Sequence, residues 1–375
     1  MSKSSIEWTD EVWNPVTGCT RASAGCDNCY AVRMSYRLEN MGQEDYKGLT
    51  VVNGKGDRHF NGIVRCHEDR LTIPLRWRKA RRCFVNSMSD LFHKDVPFDF
   101  IDKVFAVMAI TPHITYQVLT KRPERMAEYF ADEAGRSSGW RVAVQLEKWN
   151  RGFQAGKIQW PLPNVWLGTS VEDQQTADER VPLLLHVPAA VRFLSCEPLL
   201  GRVDLRELPV PWRALSDDDI GKPFTFNALC RDDDNDLYHS ENHIDWVICG
   251  GESGPKARPM HPEWARALRD QCQTAGVPFH FKQWGEWAPV RETHNVVSDD
   301  QLGKVQGYTV VSSTDRNSIG KQGFYAFPTT RRENANSQYA GQFSSFEVLD
   351  RVGKHTAGRL LDGRTHDEFP EVLRG

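Results

Sequence analysis

The sequence predicts an α/β protein: a full or partial TIM-type (β/α) barrel with insertions and a C-terminal extension. Two observations carry that reading. Short β-type runs alternate with helical periods along the chain, and nearly every run ends in a polar or glycine cluster. Alternation of this kind gives βα units and a parallel sheet. A barrel gathers the polar strand ends at one mouth, which favours it over an open doubly wound sheet built from the same units.

The first run, Val12–Val16, leads into Thr17-Gly18-Cys19, and a helix is expected to start near Tyr30. Cys83–Asn86 leads into Ser87–Asp90. Ile101, Val104, Phe105 and Met108 then repeat at helical spacing. Tyr116–Leu119 leads into Thr120-Lys121-Arg122, and Met126, Tyr129 and Phe130 follow a Pro-Glu start. Val165–Leu167 leads into the cluster Gly168-Thr169-Ser170-Val171-Glu172, followed by Val181, Leu184 and Leu185 on one helical stripe. Val191–Leu194 ends at Ser195-Cys196-Glu197, and Trp246–Ile248 at Cys249-Gly250-Gly251-Glu252-Ser253-Gly254. Trp264, Leu268 and Cys272 make a helix stopped by Gly276, and Phe279–Phe281 ends at Lys282-Gln283-Trp284.

The barrel is therefore expected over residues 1–290, interrupted by insertions at 42–82 and 201–243. The second insertion carries Asp217–Asp219 and Asp232–Asp234 and reads as solvated. Residues 291–375 form a polar C-terminal extension packing on the barrel, with a short helix expected over Ala357–Arg364.

Composition narrows the function. Lys and Arg number 47 against 50 Asp and Glu in 375 residues, a net charge of -3 that excludes wholesale coating of a polyanion. The mean hydropathy is -0.55, and no apolar run approaches the roughly 18 residues of a membrane span. The polar stretch Met1–Asp10 is no secretory signal, so the expected location is cytoplasmic.

Nine cysteines in such a protein point to metal or catalytic thiols rather than disulfides. Cys83, Cys196 and Cys249 lie in apolar runs and read as small hydrophobes. Cys19, Cys26 and Cys29 are different, because they crowd into one loop with the spacing C-x6-C-x2-C. A thiol near a helix N-terminus ionises more easily, and the thiolate is the metal-binding form. Three thiols without a fourth suit a 4Fe-4S cluster with one iron left open. Structural zinc, completed by Cys66 or His67, is a second reading, and plain buried cysteines a third.

A cysteine loop after the first strand of a barrel resembles the radical S-adenosylmethionine enzymes. More closely, the chain resembles a phage- and mobile-element-associated three-cysteine family that is distantly similar to them. The resemblance rests on Trp8–Ala31, Phe84–Asp95, Thr120–Met126, Asn164–Asp173, Phe193–Leu200, Trp246–Pro259, Phe281–Gly285 and Gly353–Arg364. It implies a 4Fe-4S cluster on Cys19, Cys26 and Cys29 that binds S-adenosylmethionine, an electron donor, and hydrogen abstraction from a substrate. The usual spacing is three residues shorter than the one here. The usual Gly-Gly-Glu element follows the second strand, whereas Gly250-Gly251-Glu252 follows about the sixth.

Other strand ends supply candidates for holding the cofactor. Gly250 and Gly251 offer backbone amides and Glu252 a carboxylate for an amino group. Ser87, Ser89, Ser170, Glu197 and Lys282 are placed at the same mouth. Lys282 and Gln283 beside Trp284 and Trp287 suit a base or adenine ring, or else form a packed aromatic edge. The basic run Arg76–Arg82 suits a phosphate backbone or a solvated face. The partners expected are a nucleic-acid or nucleotide substrate, the electron donor and a phage or mobile-element protein. Two alternatives stand beside the radical enzyme. One is a zinc-dependent nucleic-acid or protein interaction module. The other is a metal-free hydrolase using Glu172, Glu197 or Glu252; Glu172 and Glu197 are otherwise salt-bridge partners of Lys121, Arg122 and Lys282, and Glu252 a solvated side chain on a tight turn.

Overall fold

The computed structural model describes residues 6–131, 142, 159–210, 225–230, 242–289, 324–329 and 345–371. For 324–329, 345–348 and 350 it describes the backbone alone. Both Asp-rich stretches of the second insertion, and most of 290–344, lie outside these residues.

Seven strands form one sheet in chain order. They are β1 (Glu11–Trp13), β2 (Arg81–Val85), β3 (Ile114–Thr120) and β4 (Val165–Ser170). The order continues with β5 (Val191–Cys196), β6 (Trp246–Gly250) and β7 (Phe279–Gln283). Every neighbouring pair is parallel. Each of β4, β5 and β6 is buried along its whole length, as strands covered on both faces must be. Among the described residues, five helices of eight or more residues are interleaved with the strands: α1 (Tyr30–Asn40), α2 (Phe98–Ala109), α3 (Pro123–Phe130), α4 (Gln174–Leu185) and α5 (Pro262–Ala275). Local chemistry sets their ends. Pro123 and Pro262 occupy first-turn positions where no amide donor is needed. Asp173 and Thr176 make a capping box at the start of α4.

The sheet curls into a half-barrel and does not close, because β1 and β7 do not pair. This corrects the full-barrel form of the expectation and leaves the partial one. The C-terminal tail covers the edge that closure would use. Phe281 N donates to His366 O at 2.9 Å, and His280 bridges to Asp367. An edge strand covered in this way no longer offers unpaired amides to another chain. The extension also contributes an antiparallel sheet in which Ser345–Arg351 lies between Trp287–Pro289 and Phe324–Thr329. The helix expected over Ala357–Arg364 is instead one turn, α6 (Lys354–Ala357). Gly358 follows at φ 67, outside the helical region, so the chain turns rather than continuing.

Strand alternation divides the core. Val85, Val118, Leu167, Leu194 and Cys249 point outward beneath the helices. On the helix-free inner face, Trp8, Trp166, Phe193, Trp246 and Ile248 fill the lower part of the curl, joined by Phe369 from the tail. Trp246 sits edge-on to Trp166 at 5.7 Å, and its centroid is 4.9 Å from that of Phe369. Higher on the same face, Asn86, Leu119 and Ser170 replace the large rings, and the interior opens as a cavity. No described helix is long and apolar enough to cross a membrane.

Candidate functional site: a thiol loop at the half-barrel mouth

After β1 the chain pairs Val16–Thr17 antiparallel with Arg65–Cys66 and then enters the cysteine loop. A single 3-10 turn, Ala24–Cys26, shapes it, and Cys29 is the N-cap of α1. Cys19, Cys26 and Cys29 are all half-buried and all line one cavity of about 1420 Å³. Among the described residues no three of His, Cys, Asp and Glu stand close enough to share an ion. The fit to a cluster is thus one of donor type and position: three thiols on one loop, facing one cavity.

The thiol environment is built by strand ends. Arg122, at the end of β3, donates from Nη1 to Cys19 Sγ at 3.7 Å. Its Nη2 donates to Thr20 O and Oγ1 at 2.9 and 2.8 Å. Asp90 fixes the guanidinium by accepting from Nη1 at 2.7 Å, and also accepts from Thr120 Oγ1 at 2.7 Å. Burial, reinforced by the Asp90 carboxylate, pushes the Cys19 thiol up to about 12, with Arg122 pulling the other way. Burial likewise raises the Cys29 thiol, against the backbone amides of Val32 and Ala31. The expected easy ionisation is therefore not found at these two positions: desolvation outweighs the helix N-terminus.

Two buried carboxylates clamp the loop from opposite sides. Glu172 accepts from Ser23 Oγ at 2.8 Å, from Arg180 Nη1 at 3.2 Å, and from Lys121 Nζ. A Cβ at Gly25 would stand 2.6 Å from Glu172 Oε1, so this approach requires glycine. Glu252 accepts from Asn28 Nδ2 at 2.9 Å and from Arg258 Nε and Nη2 at 2.9 and 2.6 Å. Arg258 Nη2 also donates to Ala24 O at 2.9 Å.

Of the residues placed at the mouth from sequence, Ser87, Ser89 and Ser170 line the cavity, whereas Gly250, Gly251, Glu252, Glu197 and Lys282 do not. Glu252 is occupied by Arg258 and Asn28, which leaves an amino group little to bind. Gly250 and Gly251 answer to packing. A Cβ would stand 2.5 Å from Glu197 Oε1 at the first and 1.9 Å from Trp284 O at the second. Lys282 pairs with Glu197 at 3.1 Å and Lys121 with Glu172, the salt-bridge reading of those carboxylates, while Arg122 takes Asp90 instead. Cys66 and His67 do not line the cavity; His67 Nε2 is 2.9 Å from Thr17 Oγ1. Trp284 and Trp287 are buried and donate to Leu360 O and Ala257 O, a packed aromatic edge. Arg81 and Arg82 pair with Glu11 and Asp10 on β2, at strand positions below the mouth. Asn28, Arg180 and Arg258 complete the clamps without any periodic or motif signal in the sequence, and Asn86 lines the cavity unannounced.

Fold and site together define a parallel α/β half-barrel that presents a three-thiol loop at its strand-end mouth. The chain belongs to the family described as protein of unknown function (DUF5131), matched over residues 3–370. No curated protein and no solved structure matches it.

Proposed function

We propose that this chain is an iron–sulfur enzyme resembling the radical S-adenosylmethionine class, with Cys19, Cys26 and Cys29 holding a 4Fe-4S cluster. The supporting observation is that these three thiols, and no other cysteine, face one large cavity at the mouth of a parallel half-barrel. Bound there, such a cluster would supply the electron for reductive cleavage of S-adenosylmethionine and so for hydrogen abstraction from a nucleic-acid or nucleotide substrate. The chain's own residues do the rest. Arg122 holds a positive charge and an N–H donor against the Cys19 sulfur, where a thiolate ligand carries negative charge. Asp90 keeps that guanidinium in place. Glu172 and Glu252 hold the loop to the strand ends, so the three sulfurs keep one position relative to the cavity. Phe84 and Leu119 give the cavity an apolar wall that limits water.

Anaerobic reconstitution with iron and sulfide tests the reading. About four irons and four labile sulfides per chain are expected, with 5′-deoxyadenosine formed from S-adenosylmethionine under reduction. Recovery of zinc without labile sulfide overturns it.

A further inference from the structure

Asn86 follows β2 directly, in the left-handed region at φ 64. Its backbone N donates to Trp13 O at 2.8 Å, which fixes it against the end of β1. The residue is 2% exposed, and both its amide oxygen and its amide nitrogen lack a hydrogen-bond partner. Leaving a buried amide unpaired is costly, and such groups call for an explanation in a native fold. Asn86 lines the cavity together with Phe84, two residues earlier on the same face. Phe84 is half-buried, with Trp8 packed edge-on at 4.8 Å. An amide offering one donor beside one acceptor matches the edge of a nucleobase, as asparagine does with adenine. An aromatic ring beside it offers a stacking surface.

The cavity also carries cations. The hairpin of Thr50–Val52 and Arg58–Phe60 brings Lys55 and Arg58 to it, and the segment after β5 brings Arg202. These three form no ion pair among the described residues, unlike Lys121, Arg122 and Arg258 on the same cavity. Arg58 is positioned by Tyr36, whose ring centroid is 3.5 Å away, and by Thr50 Oγ1 at 3.1 Å. Unpaired guanidinium and ammonium groups suit phosphate oxygens. The volume of about 1420 Å³ exceeds the roughly 300–1,000 Å³ of a small-ligand site, which leaves room for a nucleotide beside a second group.

We infer that the cavity takes a nucleotide, its base against Asn86 and Phe84 and its phosphate on Lys55, Arg58 and Arg202. The inference rests on reading this cavity as the substrate site, but not on the cysteines carrying a cluster.

Calorimetric titration of the full chain tests it, with mononucleotides of each base, the matching nucleosides, S-adenosylmethionine and a single-stranded oligonucleotide as probes. The wild type is expected to prefer one base by about 10-fold or more. Asn86→Gly tolerates the left-handed backbone while removing the amide, and is expected to erase that preference. Asn86→Asp, of equal size, does the same should the glycine variant not fold. Lys55→Ala combined with Arg58→Ala keeps the preference and removes most of the advantage of nucleotide over nucleoside. Titrating the chain both as purified and after anaerobic reconstitution separates this inference from the fate of the cluster: the effects of the Asn86 and Lys55/Arg58 variants on nucleotide binding are expected whether or not iron and sulfide are found. Oligonucleotide binding far tighter than mononucleotide binding places the nucleotide within a strand, and equal binding makes it a free one. Absence of binding by every nucleotide probe, binding of S-adenosylmethionine alone, or an unchanged base preference in the Asn86 variants overturns the inference.

Discussion

Two groups of three cysteines lie in this molecule, and they differ in almost every respect except chemistry. Cys196 on β5, Cys249 on β6 and Cys272 on α5 are fully buried, and Cys249 stands opposite Cys196 in the strand register. Burial drives all three thiols up, and each of Cys196 and Cys249 is raised further by its neighbours. They point beneath the helices and pack as small hydrophobes. Cys19, Cys26 and Cys29 are half-buried, stand on a loop clamped by Glu172 and Glu252, and face a cavity with Arg122 against one sulfur. Proximity of thiols is thus common to both groups. What separates them is access to open space and to charged partners, and these are what a thiolate ligand needs.

The comparison can be broken experimentally, and the largest effect is expected at the loop. Replacing Cys19, Cys26 and Cys29 with alanine should reduce bound iron and sulfide to background after anaerobic reconstitution, with the circular dichroism spectrum unchanged. Alanine at Cys196, Cys249 and Cys272 should leave the iron content as it is. If the core variants lose iron and the loop variants keep it, the assignment of the two groups is reversed.

Next in size is the clamp. Glu172→Ala leaves Lys121 and Arg180 without their carboxylate at a nearly buried site and should cost about 3 kcal/mol in denaturant unfolding. Glu252→Ala should cost less, since its partner Arg258 is partly exposed. Equal stability of wild type and Glu172→Ala would mean that the loop does not depend on this pairing.

A smaller effect separates the trios in stability. Cys249→Ser places a hydroxyl at a fully buried position in the apolar core, and about 1–3 kcal/mol is expected to be lost. Cys26→Ser, on the cavity, should lose well under half of that.

The smallest effect is in alkaline solution. The core thiols stay protonated in the folded chain, while unfolded thiols ionise near their ordinary value of 9.0. A thiol raised by folding leaves stability intact below about 9 and erodes it as pH climbs through that value, because only the unfolded chain then releases a proton. Comparing Cys272→Ala with wild type, the difference in unfolding free energy between pH 8 and pH 9.5 should be about 1 kcal/mol, with the variant less sensitive. Parallel curves would show that Cys272 does not contribute.

Much of the frame was readable in advance. All seven strands follow apolar runs that end in polar clusters, and the stripe Ile101, Val104, Phe105, Met108 lies on the buried side of α2. The single run Val12–Val16 is divided, since Asn14 and Pro15 interrupt it and Val16 turns to pair with Cys66. Closure was not readable, because it depends on whether the first and last strands meet, a contact between ends of the chain. The cysteine loop stood out by local crowding. Its supports did not: Asp90 reaches Arg122 from another strand end, and Arg258 reaches Glu252 across a loop that has no periodicity. Gly250 and Gly251 carry a constraint that the local pattern does not show: a Cβ there would meet Glu197 and Trp284, which are distant in the chain.

The central claim is that the loop thiols hold a cubane with an open iron. A Mössbauer spectrum of protein purified without oxygen from iron-isotope-enriched cells tests it most directly. The account predicts a 4Fe-4S signature that is absent from the triple loop variant and in which one iron site changes on adding S-adenosylmethionine. A spectrum without iron in the wild type, or one unaltered by loss of Cys19, Cys26 and Cys29, would contradict it.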